Sequence, residues 1–122
     1  KYALSKIGSA YTYAGVGPSY DCIGLVWRAW QVAGSKWEHG SVQYVAHTKW
    51  VRFISADQLR PGDLIMWSFW DGSDVLDHIG MIVDPRSGTF VHAESTSTGV
   101  RLSNWKRESF YQHPAAFGRV VS

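Results

Sequence analysis

One cysteine, Cys22, and two of the five histidines, His78 and His92, are the residues whose type and placement could do chemistry. A thiol attacks a carbonyl as its thiolate, and a helix N-terminus favours that form by aiming backbone N–H dipoles at the sulfur. Cys22 directly follows Asp21, a capping residue, and opens the most convincing helical stretch of the chain. Nucleophilic catalysis then needs a base within hydrogen-bond reach and a third group to orient that base. His78 begins a strand-like run, and His92 lies in the next one, fourteen positions later. Two adjacent antiparallel strands could set the imidazoles side by side, so the sequence allows a Cys-His-His triad. Plainer roles compete: a lone cysteine is most often a small buried hydrophobe, and a strand-end histidine usually sits at the surface or satisfied in a core. His39, His47 and His113 have no partner pattern and keep that plainer role. A zinc site from His78, His92 and Asp77 is conceivable, but the spacing matches no familiar ligand motif, and no metal is expected.

The elements that must position these groups follow from pattern and punctuation. Residues 2–8 predict a short helix ending at Gly8, and Tyr11 to Tyr20 a loop broken by Gly15, Gly17 and Pro18. Cys22 to Ala33 predicts a helix stopped by Gly34, with Val26, Trp30 and Ala33 on a wide apolar face beside Leu25 and Ala29. Ser41 caps a further short helix over Val42–His47, and Ser55 to Gln58 has capping-box spacing for a single turn. Strands are then expected at Leu64–Phe69, His78–Val83, Thr89–Glu94, around Val100–Leu102, and at Phe117–Val121. Asp84 to Gly88 reads as a hairpin turn. Helices first and antiparallel strands afterwards predict an α+β fold with the helices on one side of a sheet of about five strands.

The 122 residues suit one domain, 1–122, expected to be the catalytic part of a longer protein. The chain is 45% hydrophobic and 15% aromatic, enough to bury a core. No apolar run is long enough to span a bilayer, and the net charge of +2 is scattered without a Lys/Arg block, so neither membrane insertion nor nucleic-acid binding is expected. One cysteine excludes an internal disulfide and any zinc site built on several thiolates.

Four motifs stand in order: Asp21-Cys22-Ile23-Gly24-Leu25-Val26, Leu59-Arg60-Pro61-Gly62-Asp63-Leu64, His78-Ile79-Gly80-Met81-Ile82-Val83 and Phe90-Val91-His92-Ala93. Together with the Gly- and Tyr-bearing lead-in Gly8-Ser9-Ala10-Tyr11-Thr12-Tyr13-Ala14-Gly15, they resemble the NlpC-type papain-like cysteine peptidases of bacteria and their phages, over nearly the whole chain. The resemblance implies a papain-like fold with Cys22 as nucleophile, His78 as general base and His92 as the orienting group. It places the Cys22 backbone N–H and the Tyr11 hydroxyl around the oxyanion. It gives Asp21 the free amine of the substrate and sets Tyr13 beside the peptide. Substrates would be peptidoglycan stem peptides or muropeptides, commonly cut between D-glutamate and a diamino acid through a thioacyl-enzyme, without metal or organic cofactor. A secreted, wall-associated or phage-tail location and a monomeric state are expected on the same ground. Asp63 and Pro61-Gly62 read as structural, turning the chain into the first strand.

One departure bears on specificity. The family usually has serine after the nucleophile, near the substrate cleft, and here stands Ile23. Losing a hydroxyl contact there could cost on the order of 1 kcal/mol of substrate binding. The stretch from Trp70 to Asp77 is also long for the family and could wall one side of a groove. Of the seven tryptophans, Trp27, Trp30 and Trp67 suit core packing, whereas Trp70 is a candidate for meeting glycan. Three functions therefore stand: a stem-peptide endopeptidase; a related thiol amidase acting on the muramoyl-alanine bond or a protein; and a binding module without turnover. Retention of the cysteine, both histidines and the tyrosine argues against the last.

Overall fold

The computed structural model describes residues 2–11, 15, 21–34, 40–69, 75–95 and 98–121. Among these residues three helices come first: α1 (Tyr2–Ser5), α2 (Cys22–Val32) and α3 (Val42–Ala46). Asp21 has extended backbone angles, and its Oδ1 accepts the Gly24 N–H at 2.7 Å, pairing one of the amides that a helix start leaves open. Ser41 caps α3 in the same way through the Tyr44 N–H at 3.1 Å. Helix α2 buries Ile23, Leu25, Val26 and Ala29 and stops before Gly34, whose φ of 97° is glycine territory.

Six strands follow among the described residues: β1 (Val51–Ile54), β2 (Leu64–Trp67), β3 (His78–Asp84), β4 (Thr89–Ala93), β5 (Val100–Asn104) and β6 (Ala116–Val120). All pairings are antiparallel, in the order β1-β6-β2-β3-β4-β5. The α+β class holds, with one strand more than expected from sequence. The addition is β1, which pairs with the C-terminal strand from Val51 opposite Val120 to Ile54 opposite Phe117. It is short, sits at the sheet edge and exposes Arg52 and Phe53, so no local alternation announces it.

The two faces of the sheet divide the core. Leu64, Met66 and Ile79 pack with Cys22, Ile23 and Val26 of α2 and with Val42 and Val45 of α3. Val91, Ala93 and Val100 pack with Leu25, Ala29 and Ala3. The alternate positions Ile65, Trp67, Ile82 and Phe90 form a separate cluster with Tyr111 on the other face. Asp63, just before β2, is 4% exposed and binds the Arg119 guanidinium of β6 at 2.9 and 2.8 Å, while its Oδ2 also accepts the Arg60 N–H at 2.8 Å. That three-way link fastens the turn at Pro61-Gly62 to the neighbouring strand, the structural role expected for this motif.

Candidate active site

Cys22 is the first residue of α2 and is 8% exposed. Its thiol donates to the Asp77 carbonyl at 3.9 Å, and the Ile79 backbone N–H also acts on the sulfur. The sulfur thus lies against the backbone on either side of His78. Asp77 is held in place to receive it: its carboxylate accepts the Phe69 N–H at 3.0 Å and its own N–H donates to the Trp67 carbonyl at 2.9 Å. Leu76, one residue earlier, donates to the Gln43 side chain of α3 at 2.8 Å. Gly24 lets the lead-in loop approach the helix start, since a Cβ there would stand 2.0 Å from the Gly15 carbonyl oxygen.

His78 opens β3 directly opposite Trp67 of β2, and its ring packs against Trp67, Phe69, His92 and Tyr111. His78 Nε2 and His92 Nδ1 share a hydrogen bond of 2.8 Å. Gly80, two positions along the same face, makes room for this: a Cβ would stand 2.7 Å from the Phe90 ring and 3.3 Å from the His92 Cβ. The other nitrogen of His92, Nε2, bonds Ser103 Oγ at 2.9 Å, with Glu94 Oε2 at 3.7 Å. Glu94 in turn accepts the Tyr111 hydroxyl, and Tyr111 is held by a bond from Trp67 Nε1–H to its carbonyl at 3.2 Å. A cavity of about 690 Å³ opens beside His78, walled by Phe69, Phe110, Tyr111, Glu94 and Glu108.

Burial sets the protonation of this group. The Cys22 thiol is pushed up to about 12 by burial and by the adjacent Asp21 carboxylate, against the lowering that its place at a helix start led us to expect. Burial lowers His78 to about 4, although Asp77 and Glu94 pull the other way. His92 is lowered by burial and by its neighbour His78. Burial raises Glu94, but hydrogen bonds from Tyr111 and Thr98 outweigh it and the net shift is downward. At neutral pH the site therefore holds a thiol, two neutral imidazoles and a carboxylate.

The remaining candidates fall as follows. Tyr11 is partly buried against the cluster containing Leu25, Val91 and Ala93. Asp21 is 9% exposed and occupied as the α2 cap. Ile23 is 5% exposed and packs in the core with Val26, Val42, Val45 and Leu76, so the structure gives its bulk to the interior. Tyr13, Trp70 and most of the stretch leading to Asp77 lie outside the described residues, as do Trp37 and His39. Exposed His47 bonds the Gln43 carbonyl through Nδ1 at 2.9 Å. Among the described residues no three His, Cys, Asp or Glu side chains form a metal-binding group. Sequence reasoning missed Ser103, Glu94 and Tyr111. Glu94 had a signal, since it follows His92 by two within the strand expected from sequence and so shares its face; Ser103 and Tyr111 had none.

Comparison with known proteins gives a consistent result. The NlpC/P60 family matches residues 8–119. The chain is 30% identical over 120 residues to a probable endopeptidase p60 of Listeria monocytogenes, covering 97% of this chain and 22% of the relative. It is 33% identical over 101 residues to a probable endopeptidase of Mycobacterium tuberculosis, covering 82% of this chain and 24% of the relative. The chain thus spans less than a quarter of the length of either relative. Among solved structures, NlpC2 of Trichomonas vaginalis superposes with a TM-score of 0.81 at 25% identity, over 97% of this chain and 44% of that one.

Proposed function

Because the chain belongs to the NlpC/P60 family, we propose that it is a cysteine endopeptidase hydrolysing peptidoglycan stem peptides, with Cys22 as nucleophile, His78 as base and His92 as orienting group. The observation that carries this reading is the 2.8 Å bond between His78 Nε2 and His92 Nδ1 at the strand end where the Cys22 sulfur rests. That bond commits Nε2 and leaves Nδ1 as the nitrogen for the thiol proton. Residues 1–122 are then the catalytic domain of a longer wall-directed protein, secreted or tail-borne, that works as a monomer.

The chemistry starts from neutral partners. The thiol leaves the Asp77 carbonyl and meets Nδ1 once substrate fills the site, a tightening ordinary for resting enzymes. His78 takes the thiol proton as sulfur bonds the scissile carbonyl carbon, and the oxyanion gathers at the α2 N-terminus, by the Cys22 backbone N–H. The intermediate collapses to a thioacyl-enzyme as His78 returns the proton to the departing amine. Water, deprotonated by His78, then cleaves the thioester and restores the thiol. The bond cut is the one between D-glutamate and the diamino acid, with the Tyr11 hydroxyl joining the Cys22 backbone N–H at the oxyanion and Asp21 binding the free amine of the substrate peptide.

Digestion of purified muropeptides by the wild type and by Cys22→Ala, read by mass spectrometry, tests this. Products of a cut inside the stem, absent with the variant, are expected. Release of an intact stem peptide would reassign the enzyme to the muramoyl-alanine bond, and equal products from both proteins would end the reading.

A further inference from the structure

His92 has one proton to place on two ring nitrogens, and the choice decides whether His78 can act as a base. If the proton is on Nδ1, His92 donates to His78 Nε2, and neutral His78 must carry its own proton on Nδ1, the atom that should receive one. If the proton is on Nε2, His92 Nδ1 accepts from His78 Nε2–H, and His78 Nδ1 stays open. The 2.8 Å distance between the rings fits either state. The decision therefore falls to what surrounds His92 Nε2.

Among the described residues two groups meet that atom. Ser103 Oγ lies 2.9 Å away, from a side chain 4% exposed, and Oε2 of Glu94 lies 3.7 Å away. A hydroxyl can donate or accept, so Ser103 alone is neutral on the matter; a carboxylate only accepts. Negative charge beside Nε2 favours an N–H over a lone pair there, so Ser103 takes the accepting role. The Tyr111 hydroxyl and Arg101, 3.5 Å from Oε1, hold Glu94 in position. The strands explain why the groups converge: Ser103 pairs with Phe90, Arg101 with His92, and Glu94 follows His92 by two residues.

We propose that Ser103 and Glu94 are positioning residues that keep the His92 proton on Nε2, so that His78 Nδ1 is free to accept the Cys22 proton. The inference rests on the peptidase reading for its catalytic meaning, but the proton's location is measurable without substrate. Neither residue touches the reacting atoms.

Imidazole ¹⁵N–¹H correlation spectra of the wild type, Ser103→Ala, Ser103→Thr and Glu94→Gln supply that measurement. The wild type and Ser103→Thr are expected to show His92 protonated at Nε2. Glu94→Gln, which can turn an amide N–H toward Nε2, and Ser103→Ala are expected to shift protonation toward Nδ1. Muropeptide turnover should follow, with kcat falling about 10- to 100-fold at nearly unchanged KM in those two variants and Ser103→Thr near wild type. Wild-type Nε2 protonation of His92 in both Ser103→Ala and Glu94→Gln would overturn the proposal, as would wild-type kcat in both. If the wild type itself cuts no muropeptide, the peptidase reading fails while the spectra still decide this one. Dispersed spectra with the remaining histidines unmoved exclude loss of fold as the cause.

Discussion

His78 Nε2 and His92 Nδ1 face each other at 2.8 Å, in a place where His92 has no exposed surface and His78 keeps 9%. The pair exists because β3 and β4 run side by side and Gly80 removes the side chain that would hold them apart. Burial makes the neutral form of both rings the stable one.

Acid should therefore destabilise the fold through these two residues. The unfolded chain binds a proton on each imidazole below the ordinary value of 6.5, whereas folded His78 waits until about 4 and His92 until lower still. Between those limits the unfolded state holds more protons, so stability rises with pH and is lost as pH falls from about 6.5 toward 4. Thermal melts at steps across that window are expected to show the slope in the wild type and a shallower one in His92→Asn. Parallel slopes in the two proteins would contradict the burial account.

On the proposed mechanism, the same shift sets the acid limb of activity. A base must be neutral to accept a proton, and His78 stays neutral down to about pH 4. The Cys22 thiol, pushed up to about 12, remains protonated far above neutrality, so the reactive thiol–imidazole form spans the middle of the scale. A pH profile of kcat/KM should be flat from about 6 to 8 and fall only well below 6.5. An acid midpoint at or above 6.5 would show that the working enzyme starts from a thiolate–imidazolium pair instead.

What could be read from sequence was local. Asp21 as cap, Cys22 as first helical residue, Gly34 as stop and the turn after Asp84 all depend on chemistry within a few residues, and each stands where expected. The pairing of His78 with His92 was legible because one hairpin joins them. β1 was not, because its strand partner β6 lies near the C-terminus and its own pattern is mixed. Ser103 is an ordinary serine until β5 aligns beside β4, and Tyr111 sits in a single 3₁₀ turn far along the chain. The raised thiol was missed for a physical reason: the helix dipole is visible in sequence, but the depth of burial that outweighs it is not.

The Asp63–Arg119 link should matter to stability more than a surface ion pair. Asp63 is nearly inaccessible, accepts from the guanidinium at 2.9 and 2.8 Å, and also holds the Arg60 N–H. Asp63→Ala leaves the Arg60 N–H without its acceptor and the Arg119 guanidinium with the Gln58 carbonyl in place of a carboxylate, and is expected to cost about 3 kcal/mol, read from urea unfolding. A loss under about 1 kcal/mol would place the pair with exposed ones.

Ile23 offers the sharpest contrast between family habit and this chain. Serine usually follows the nucleophile, yet here the position is 5% exposed and packs against Val26, Val42, Val45 and Leu76. Ile23→Ser would remove a branched side chain from a close-packed cluster and bury a hydroxyl among apolar groups. Both effects act in the same direction and together should cost about 3 to 4 kcal/mol. Ile23→Val, which removes one methylene group, should cost about 1 kcal/mol. Urea unfolding of the two variants gives the numbers directly. If Ile23→Ser unfolds within about 1 kcal/mol of the wild type, the side chain is not holding the core, and its place would be in the cleft where the family keeps its serine.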